Sequence, residues 1–372
     1  MNNLYNIRTN CIFCNISLKS VLFNNDKSIY VCPQICSLEN NDMIMIPYNI
    51  HVCNNCGCYQ NKYLGNILLV YNDTHNNVII SKTWVDHYNS FYNFIQNSKI
   101  INNNTNILEV GAGNNYIVNL FLNNNYNNYT ILEPVITEKI NNVKYVEGWL
   151  EDYKNIEMND ITILSHVFEH LYNPKDLFKI NSKYIALSIP NIPKYLDNFI
   201  LNFLNIEHTF YFEESHIITL FNNNKYKLIN KEYFDNHSIF LLFEFDNLLE
   251  NKCYNLLKTI NNKFDIYFND INKLIDKLNN YIDNTNNKLA IFPCHMYIQY
   301  LITFGLNINK VSYYYDNNIN KLDKFLYGTN ITCKNLDFFI KNNEYEIILL
   351  GGLYNNELVK ILEENNILYY NF

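Results

Sequence analysis

Short apolar runs alternate with helix-like stretches through the centre of the chain. A run that starts at Asn106 leads into a Gly-Ala-Gly turn, and apolar residues at helical spacing follow from Tyr116 to Leu122. Three later runs have the length and composition of buried strands: 129–133, 159–165 and 183–190. Strands that alternate with helices predict a parallel, doubly wound α/β sheet that binds ligands at the carboxyl ends of its strands.

The last third of the chain repeats this alternation after a helical segment. Apolar residues recur at helical spacing from about Phe234 to Asn284, which predicts long helices that join two α/β units. Strands with intervening helices are then predicted from the runs 289–293, 310–315 and 346–352. The predicted fold class is therefore α/β, with a central Rossmann-like domain and a second, C-terminal Rossmann-like domain.

Composition narrows the range of functions. The 372 residues are 48% hydrophobic with a formal net charge of −8. Asparagine makes up about a fifth of them, which we interpret as codon bias and not as a prion-like tract. An acidic chain without a dense Lys or Arg cluster indicates no nucleic-acid partner. Apolar runs shorter than the roughly 20 residues of a membrane span predict no transmembrane helix, and the polar N-terminus predicts a reducing, cytoplasmic location.

Seven of the ten cysteines lie within the first 58 residues. Two Cys-x-x-Cys pairs, Cys11/Cys14 and Cys53/Cys56, have the spacing of knuckles whose four thiolates complete a tetrahedral zinc shell. We predict a structural zinc site from these four residues. Free thiols are one alternative, and a redox pair is another, although no strand-helix context of thioredoxin type surrounds either pair.

Other residues near these pairs have less certain roles. Cys32 and Cys36 lie between the pairs as competing ligands, and the role of Cys58 stays open. His51, beside the second pair, is expected on the surface and not on the metal.

The Gly-Ala-Gly turn has the character of a nucleotide-binding loop. Gly111 and Gly113 allow close backbone approach, and Glu133, twenty residues beyond Gly113, can accept both ribose hydroxyls of an adenosine. The dinucleotide-binding fingerprint has a small residue at the position of Tyr116, so the match to it is poor. An acidic residue two positions before the first glycine, here Glu109, is typical of S-adenosylmethionine-dependent methyltransferases. The pattern favours the methyl donor over NAD, with a turn that binds nothing as the remaining alternative.

Motifs in a shared order identify a resemblance to the zinc-containing sugar C-methyltransferases over nearly the whole chain. The matching segments are Cys11–Cys14, Cys53–Gln60, Ser81–His87, Leu108–Gly113, Leu132–Pro134, His166–His170, Glu207–Phe212, and Asp316 with Lys321–Gly328. The resemblance implies a zinc-binding module at 1–62, a methyltransferase domain at 63–232, a helical connector at 233–286 and a nucleotide-binding-like domain at 287–372.

The same resemblance implies the ligands and site residues. S-adenosylmethionine is the implied cofactor, beside structural Zn²⁺, and a nucleotide-linked 4-keto-6-deoxy sugar is the implied substrate. The donor-binding residues predicted from the turn, the strand ends and the resemblance are Glu109, Gly111, Ala112, Gly113, Glu133, Pro134, Ser165 and His166. His208 is the implied base that forms an enolate, with Glu207 as its polar partner. His170 and His216 are expected to be helix-surface or capping residues.

The chain departs from the family pattern at several positions. Asn76 or His75, and Asn205, stand where the family has tyrosines, and Asn115 replaces the third glycine of the donor loop. The C-terminal domain lacks the family's glycine-rich turn after its first strand. O-methylation of a sugar or small hydroxylated metabolite, and a noncatalytic scaffold, are therefore alternatives to C-methylation. The oligomeric state, monomer or dimer, stays open.

Overall fold

The computed structural model describes residues 4–29, 36–37, 45–71, 82–136, 138–153, 158–200, 203–251, 258–350 and 355–371. The chain divides into two compact units. The first comprises Met1–Phe23, Asn49–Asn198 and Glu207–Lys263, and the second comprises Asn24–Tyr48, Phe199–Ile206 and Phe264–Phe372.

The described residues form both strands and helices. The strands are β1 Tyr5–Ile7, β2 Ser20–Ile29, β3 Cys36–Ser37, β4 Met45–Val52, β5 Tyr59–Asn61, β6 Tyr63–Gly65, β7 Ile107–Val110, β8 Tyr129–Glu133, β9 Lys144–Glu147, β10 Asn159–Ser165, β11 Ser182–Pro190, β12 Phe210–Tyr211, β13 Tyr226–Phe234, β14 Ser238–Phe245, β15 Lys288–Phe292, β16 Val311–Tyr315, β17 Phe325–Leu326, β18 Thr332–Lys334, β19 Tyr345–Leu349 and β20 Tyr369–Asn371. The helices are α1 Ile67–Val70, α2 Lys82–Asn97, α3 Tyr116–Asn123, α4 Ile192–Asp197, α5 Glu214–Asn223, α6 Lys258–Asn284, α7 Met296–Thr303, α8 Leu336–Lys341 and α9 Asn355–Glu364, with 3₁₀ turns at Phe168–His170 and Pro174–Lys179.

The first unit is built on a seven-stranded sheet in the order β13-β14-β11-β10-β7-β8-β9. Strands β7 to β11 are all parallel to one another, whereas β14 runs antiparallel to both β11 and β13. The carboxyl ends of β7, β8 and β10 therefore lie at one edge of the sheet. The predicted doubly wound α/β fold is confirmed.

Helices cover both faces of this sheet. Phe91 of α2 and Phe121 of α3 share a buried cluster with Ile163 and the other side chains of that sheet face. Leu220 of α5 belongs to the cluster on the opposite face, together with Leu164, the next residue along β10. Successive residues of one strand thus enter different cores, as the two-residue period of a strand requires.

The segment 233–286, where we expected long helices, contains strand β14 before helix α6. Every residue from Ile239 to Phe243 is buried. A strand with helices on both faces is apolar at each position, so it lacks the alternation that distinguishes a strand in a sequence. The helical spacing continues through α6, where Ile271, Leu278 and Ile282 are buried.

The cysteine-rich N-terminal region adds small antiparallel pairings to the first unit. Strand β1 pairs with β6, and β5 lies between β4 and β12. The first Cys-x-x-Cys pair lies ahead of β2, and the second lies in the turn between β4 and β5. These short strands bring the two turns into one unit.

The second unit has its own seven-stranded sheet, in the order β20-β19-β15-β16-β18-β17-β3. Strands β20, β19, β15, β16 and β18 are parallel, and β17 and β3 are antiparallel at one end. This is the predicted second Rossmann-like sheet. Within the described residues, no helix combines the length and apolar composition that a membrane crossing requires.

Candidate active site

Four cysteine thiols of the first unit converge on one point. All their Sγ atoms lie within 4.8 Å of one another, with 3.5 Å between Cys11 and Cys56 and 3.4 Å between Cys14 and Cys53. The second knuckle is closed by the Gly57 N–H, which donates to the Cys53 carbonyl at 2.8 Å. Four soft thiolate ligands at this spacing fit a structural zinc ion, which takes four sulfur ligands and needs no open position.

Neighbouring side chains support the knuckles. The Gln60 amide donates to Cys11 Sγ at 3.1 Å, and the His216 ring donates from Nε2 to the Cys56 carbonyl at 2.8 Å. His216 is also the third residue of α5, where Nδ1 accepts from the Glu213 N–H. The capping role expected for His216 is therefore present, together with a contact to the Cys53–Cys56 turn. Such outer contacts orient metal ligands.

Two other cysteines among the described residues, Cys58 and Cys36, do not belong to this group of four. Cys58 Sγ donates to the Tyr211 carbonyl at 3.3 Å, and burial raises the pKa of its thiol. Cys36 belongs to the second unit, where its Sγ lies 3.7 Å from that of Cys294. Cys32 lies outside the described residues.

The predicted donor loop leaves no space for a side chain at Gly111. Gly111 has φ of +71°, and a Cβ atom there would lie 2.6 Å from Cγ2 of Val167. Gly113 has φ of +56°, and Asn115, at the start of α3, has φ of +60°. Asparagine tolerates this left-handed region better than most residues, so Asn115 can replace a glycine. The loop forms a cradle at the carboxyl end of β7.

Two carboxyl groups flank this cradle. Glu133 Oε2, at the end of β8, accepts the Gly113 N–H at 3.2 Å, and burial raises its pKa against the opposing effect of amide hydrogen bonds. Glu109 is buried inside β7, where burial raises its pKa to about 8 while the Tyr129 hydroxyl donates to it at 2.9 Å. Glu133 is therefore placed at the loop surface, and Glu109 supports the loop from inside the sheet.

The other predicted donor residues lie around the same edge. Ala112 and Pro134 are partly exposed in the turns after β7 and β8. The hydroxyl oxygen of Ser165, at the end of β10, is buried and makes no hydrogen bond to any described residue. The glycine cradle, the Glu133 carboxylate and this orphaned hydroxyl fit an adenosine-bearing donor such as S-adenosylmethionine.

His166 is held in a strained conformation after β10. Its φ is +52°, and its N–H donates to the Ser188 carbonyl at 2.8 Å. Nε2 lies 2.8 Å from the Ser238 hydroxyl, and Nδ1 lies 3.2 Å from Glu169 Oε1. His237 contacts the same Ser238 hydroxyl at 2.6 Å. Several fixed contacts thus maintain a backbone conformation that non-glycine residues rarely adopt.

Three histidines and Trp84 form a compact group around this point. Ligand atoms of His87, His166 and His237 lie within 4.8 Å of one another, and each ring lies about 5 Å from the Trp84 ring. Burial lowers the pKa of all three, to about 3 for His166 and His237. The imidazoles are therefore neutral, and serine hydroxyls occupy one nitrogen of each.

A second polar cluster joins two Glu-His pairs. Ligand atoms of Glu169, His170 and His208 lie within 4.8 Å of one another, and the His170 and His208 rings are 4.9 Å apart. Glu207 Oε2 lies 3.6 Å from His170 Nδ1. The two predicted catalytic residues, Glu207 and His208, are therefore brought together with Glu169 and His170.

Both glutamates of this cluster are buried. Glu169 is 1% exposed and Glu207 is 4% exposed. Burial raises the pKa of Glu207 to about 8 and that of Glu169 to about 7, with the nearby His208 opposing the shift of Glu169. Carboxyl groups with such pKa values hold or exchange a proton near neutral pH, as acid-base chemistry requires.

Several residues of this cluster were not predicted as site residues from the sequence. His170, expected on a helix surface or as a cap, hydrogen-bonds through Nδ1 to the Tyr71 hydroxyl at 2.8 Å. Tyr71 precedes the segment in which the resemblance implies a tyrosine, and both Asn76 and His75 lie outside the described residues. The repeated Glu-His dipeptide was the available signal for Glu169 and His170.

Two further expectations concern residues outside the cluster. Asn205 belongs to the second unit and is buried. His51 is buried and not on the surface, because it lies in β4 opposite Gln60 of β5. Its ring nitrogens make no hydrogen bond to any described residue.

Comparisons with known proteins find structural similarity only at low sequence identity. No family model and no curated protein matches the chain. The chain is similar to the 1,6-didemethyltoxoflavin N1-methyltransferase of Burkholderia thailandensis, at 10% identity and TM-score 0.36, over 45% of this chain and 82% of that one. That structure holds 1,6-didemethyltoxoflavin and S-adenosylhomocysteine.

Two other methyltransferase structures give comparable values. The N-methyltransferase NodS of Bradyrhizobium japonicum, with S-adenosylhomocysteine, is 10% identical with TM-score 0.35, over 46% of this chain and 92% of that one. An S-adenosylmethionine-dependent methyltransferase of Mesorhizobium loti is 8% identical with TM-score 0.35, over 42% and 99%. At identities near 10%, these comparisons do not identify the reaction.

Proposed function

We propose that the chain is an S-adenosylmethionine-dependent methyltransferase that acts on a nucleotide-linked 4-keto-6-deoxy sugar. The observation that carries this proposal is the close packing of Gly111 on Val167. This contact brings the donor loop against the segment that ends in Glu169 and His170, so a donor and a set of acid-base groups share one sheet edge.

The proposed reaction is methylation of a carbon next to the keto group. The His208 imidazole removes the proton from that carbon, and the proton stays on the imidazole while the carbon gains nucleophilic character. When bound, S-adenosylmethionine supplies an electrophilic methyl group and leaves as the neutral thioether. Glu207, with a pKa of about 8, holds a proton at neutral pH and donates a hydrogen bond to the oxygen on which negative charge develops.

The other residues of the site orient these groups. Tyr71 fixes the His170 ring through its 2.8 Å hydrogen bond, and His170 packs edge-on against His208. Glu133 binds the ribose hydroxyls of the donor, and the glycine at position 111 allows the protein backbone to approach the donor closely. Zinc on Cys11, Cys14, Cys53 and Cys56 has a structural role, because four protein ligands leave no position for substrate.

Product analysis tests the proposal. Zinc-loaded protein is incubated with methyl-labelled S-adenosylmethionine and a panel of 4-keto-6-deoxy sugar nucleotides, and the product is examined by mass and NMR. A new carbon-bound methyl group is the expected result. An oxygen-bound methyl group would replace the proposal by O-methylation, which needs the base only to deprotonate a hydroxyl.

Donor binding provides the control for this experiment. Calorimetry with S-adenosylhomocysteine is expected to give one site per chain, and its absence in folded, zinc-loaded protein would favour the noncatalytic scaffold. His208→Ala is expected to abolish turnover and leave donor affinity within about twofold of wild type, because His208 lies outside the glycine cradle. A fully active variant would refute the assignment of the base.

A further inference from the structure

Arg8 is the only arginine among 28 basic residues. In a chain whose other basic positions are all lysine, this one is also buried, at 7% exposure. A guanidinium is planar and presents a fixed fork of donors, whereas a lysine ammonium is a single strongly hydrated nitrogen. The position is therefore one where the two residues are not interchangeable.

The Arg8 side chain joins two segments of the candidate active site. Nη1 donates to the Thr209 carbonyl at 2.5 Å, and Nη2 donates to the Tyr172 carbonyl at 2.7 Å. Nη2 also lies 3.4 Å from the Thr209 hydroxyl. Thr209 directly follows His208, and Tyr172 lies two residues after His170.

Thr209 connects the same two segments. Its N–H donates to the Glu169 carbonyl at 2.9 Å, and its hydroxyl donates to the Leu171 carbonyl at 2.7 Å. The His208 carbonyl in turn accepts from the Asn61 amide at 2.8 Å. Both Glu-His pairs are thus fixed to one another by backbone contacts that centre on Arg8 and Thr209.

The zinc module holds the other end of Arg8. Its backbone N–H donates to the Lys62 carbonyl at 2.7 Å, and Cys11 follows three residues later. Burial lowers the pKa of Arg8 to about 10, with Cys58 and Cys11 opposing the shift, so the guanidinium stays charged at neutral pH. A zinc ion with four thiolates carries a net negative charge, which offsets a buried cation nearby.

We propose that Arg8 is a positioning residue, which sets the separation of Glu169-His170 from Glu207-His208 by bridging the Tyr172 and Thr209 carbonyls. The inference rests on the proposed function for its kinetic consequence only. It also gives the N-terminal module a role in the reaction, because the module anchors the arginine that holds the acid-base groups.

Hydrogen exchange tests the link without any substrate. In zinc-loaded Arg8→Lys, the amide of Thr209 and the peptide 168–172 are expected to exchange at least about tenfold faster, while the donor-loop peptide 107–113 keeps its protection. Thr209→Val, which removes only the hydroxyl, is expected to show a smaller change in the same peptides. Lys19→Ala, at an exposed position of the same module, is the matched control and should leave both unchanged.

Kinetics on a substrate identified with the wild type tests the consequence. In Arg8→Lys we expect kcat to fall about 100-fold, with S-adenosylhomocysteine affinity and zinc content within about twofold of wild type. In Arg8→Ala, added guanidinium should restore part of kcat, and methylammonium should not.

The outcomes separate the two proposals. Two results would overturn the positioning role. Wild-type exchange in Arg8→Lys would show that the two segments stay in place without the guanidinium fork. An equal rise of exchange throughout the first unit would indicate general destabilisation. If the exchange result holds but the wild type methylates no sugar nucleotide, the proposed function fails and the structural link stands.

Discussion

Replacing Glu207 by Gln removes a buried proton-binding group from the candidate active site and keeps its shape. In the folded protein burial raises the pKa of Glu207 from 4.5 to about 8. A carboxyl group with a raised pKa binds its proton more tightly when folded than when unfolded. Its contribution to stability is therefore complete below about pH 4.5 and is lost as the pH rises through about 8.

The size of the loss follows from the two pKa values. Between them the unfolded chain has released the proton and the folded chain has kept it, so stability falls by about 1.4 kcal/mol per pH unit. From about pH 5.5 to about pH 7.5, allowing for the flattening near the folded pKa, Glu207 alone lowers the free energy of unfolding by about 2.5 kcal/mol. Glu207→Gln should lack this decrease.

Urea unfolding at the two pH values measures the difference. The two tryptophans, Trp84 and Trp149, both lie in the first unit, so their fluorescence reports on the unit that holds Glu207. Zinc content is checked at each pH. The exposed Glu232→Gln, in the same unit, is the matched control and should retain the wild-type dependence on pH.

The result that contradicts this reasoning is a Glu207→Gln curve parallel to that of the wild type across the range. Glu207 would then be ionised in the folded protein, and a neutral carboxyl that donates a hydrogen bond to substrate would be excluded.

Three other changes test separate parts of the site. Gly111→Ala should destabilise the first unit by at least about 1–2 kcal/mol in urea unfolding and weaken donor binding, because its φ is +71° and its Cβ would lie 2.6 Å from Val167. Glu133→Ala should weaken S-adenosylhomocysteine binding about 10- to 100-fold in calorimetry, whereas Glu147→Ala, at the paired position of β9, should not. Cys53→Ser should reduce both the zinc content and the thiolate-to-cobalt absorption of the Co²⁺-substituted protein, and a full metal complement in this variant would contradict the four-cysteine site.

Local patterns in the sequence predicted many of the strands and helices. The strand before the glycine turn, the turn and helix α3 are contiguous in the chain, so hydrophobic period and glycine positions specify them. Strand β14 was different, because its buried run on both faces has no alternation. Its antiparallel pairing with β11 joins residues more than 40 positions apart, which no local pattern records.

The residues of the candidate site also differ in whether the sequence alone could predict them. The four cysteines were predictable, because knuckle spacing is a property of a few neighbouring residues. The partnership of Tyr71 with His170 was not, because it joins positions 99 residues apart. His51 was misplaced for a related reason, since strand pairing and not sequence decides which face of β4 is covered.

By itself the sequence determined the class of fold, the glycine-containing turn and the two Cys-x-x-Cys pairs, because each depends on residues that are close together in the chain. Only the tertiary structure decided which carboxyl groups are buried, which histidines are neutral and which two Glu-His pairs meet. Those properties arise from desolvation and from contacts such as that of Arg8 with Thr209, 201 positions away, and they exist only when the chain is folded.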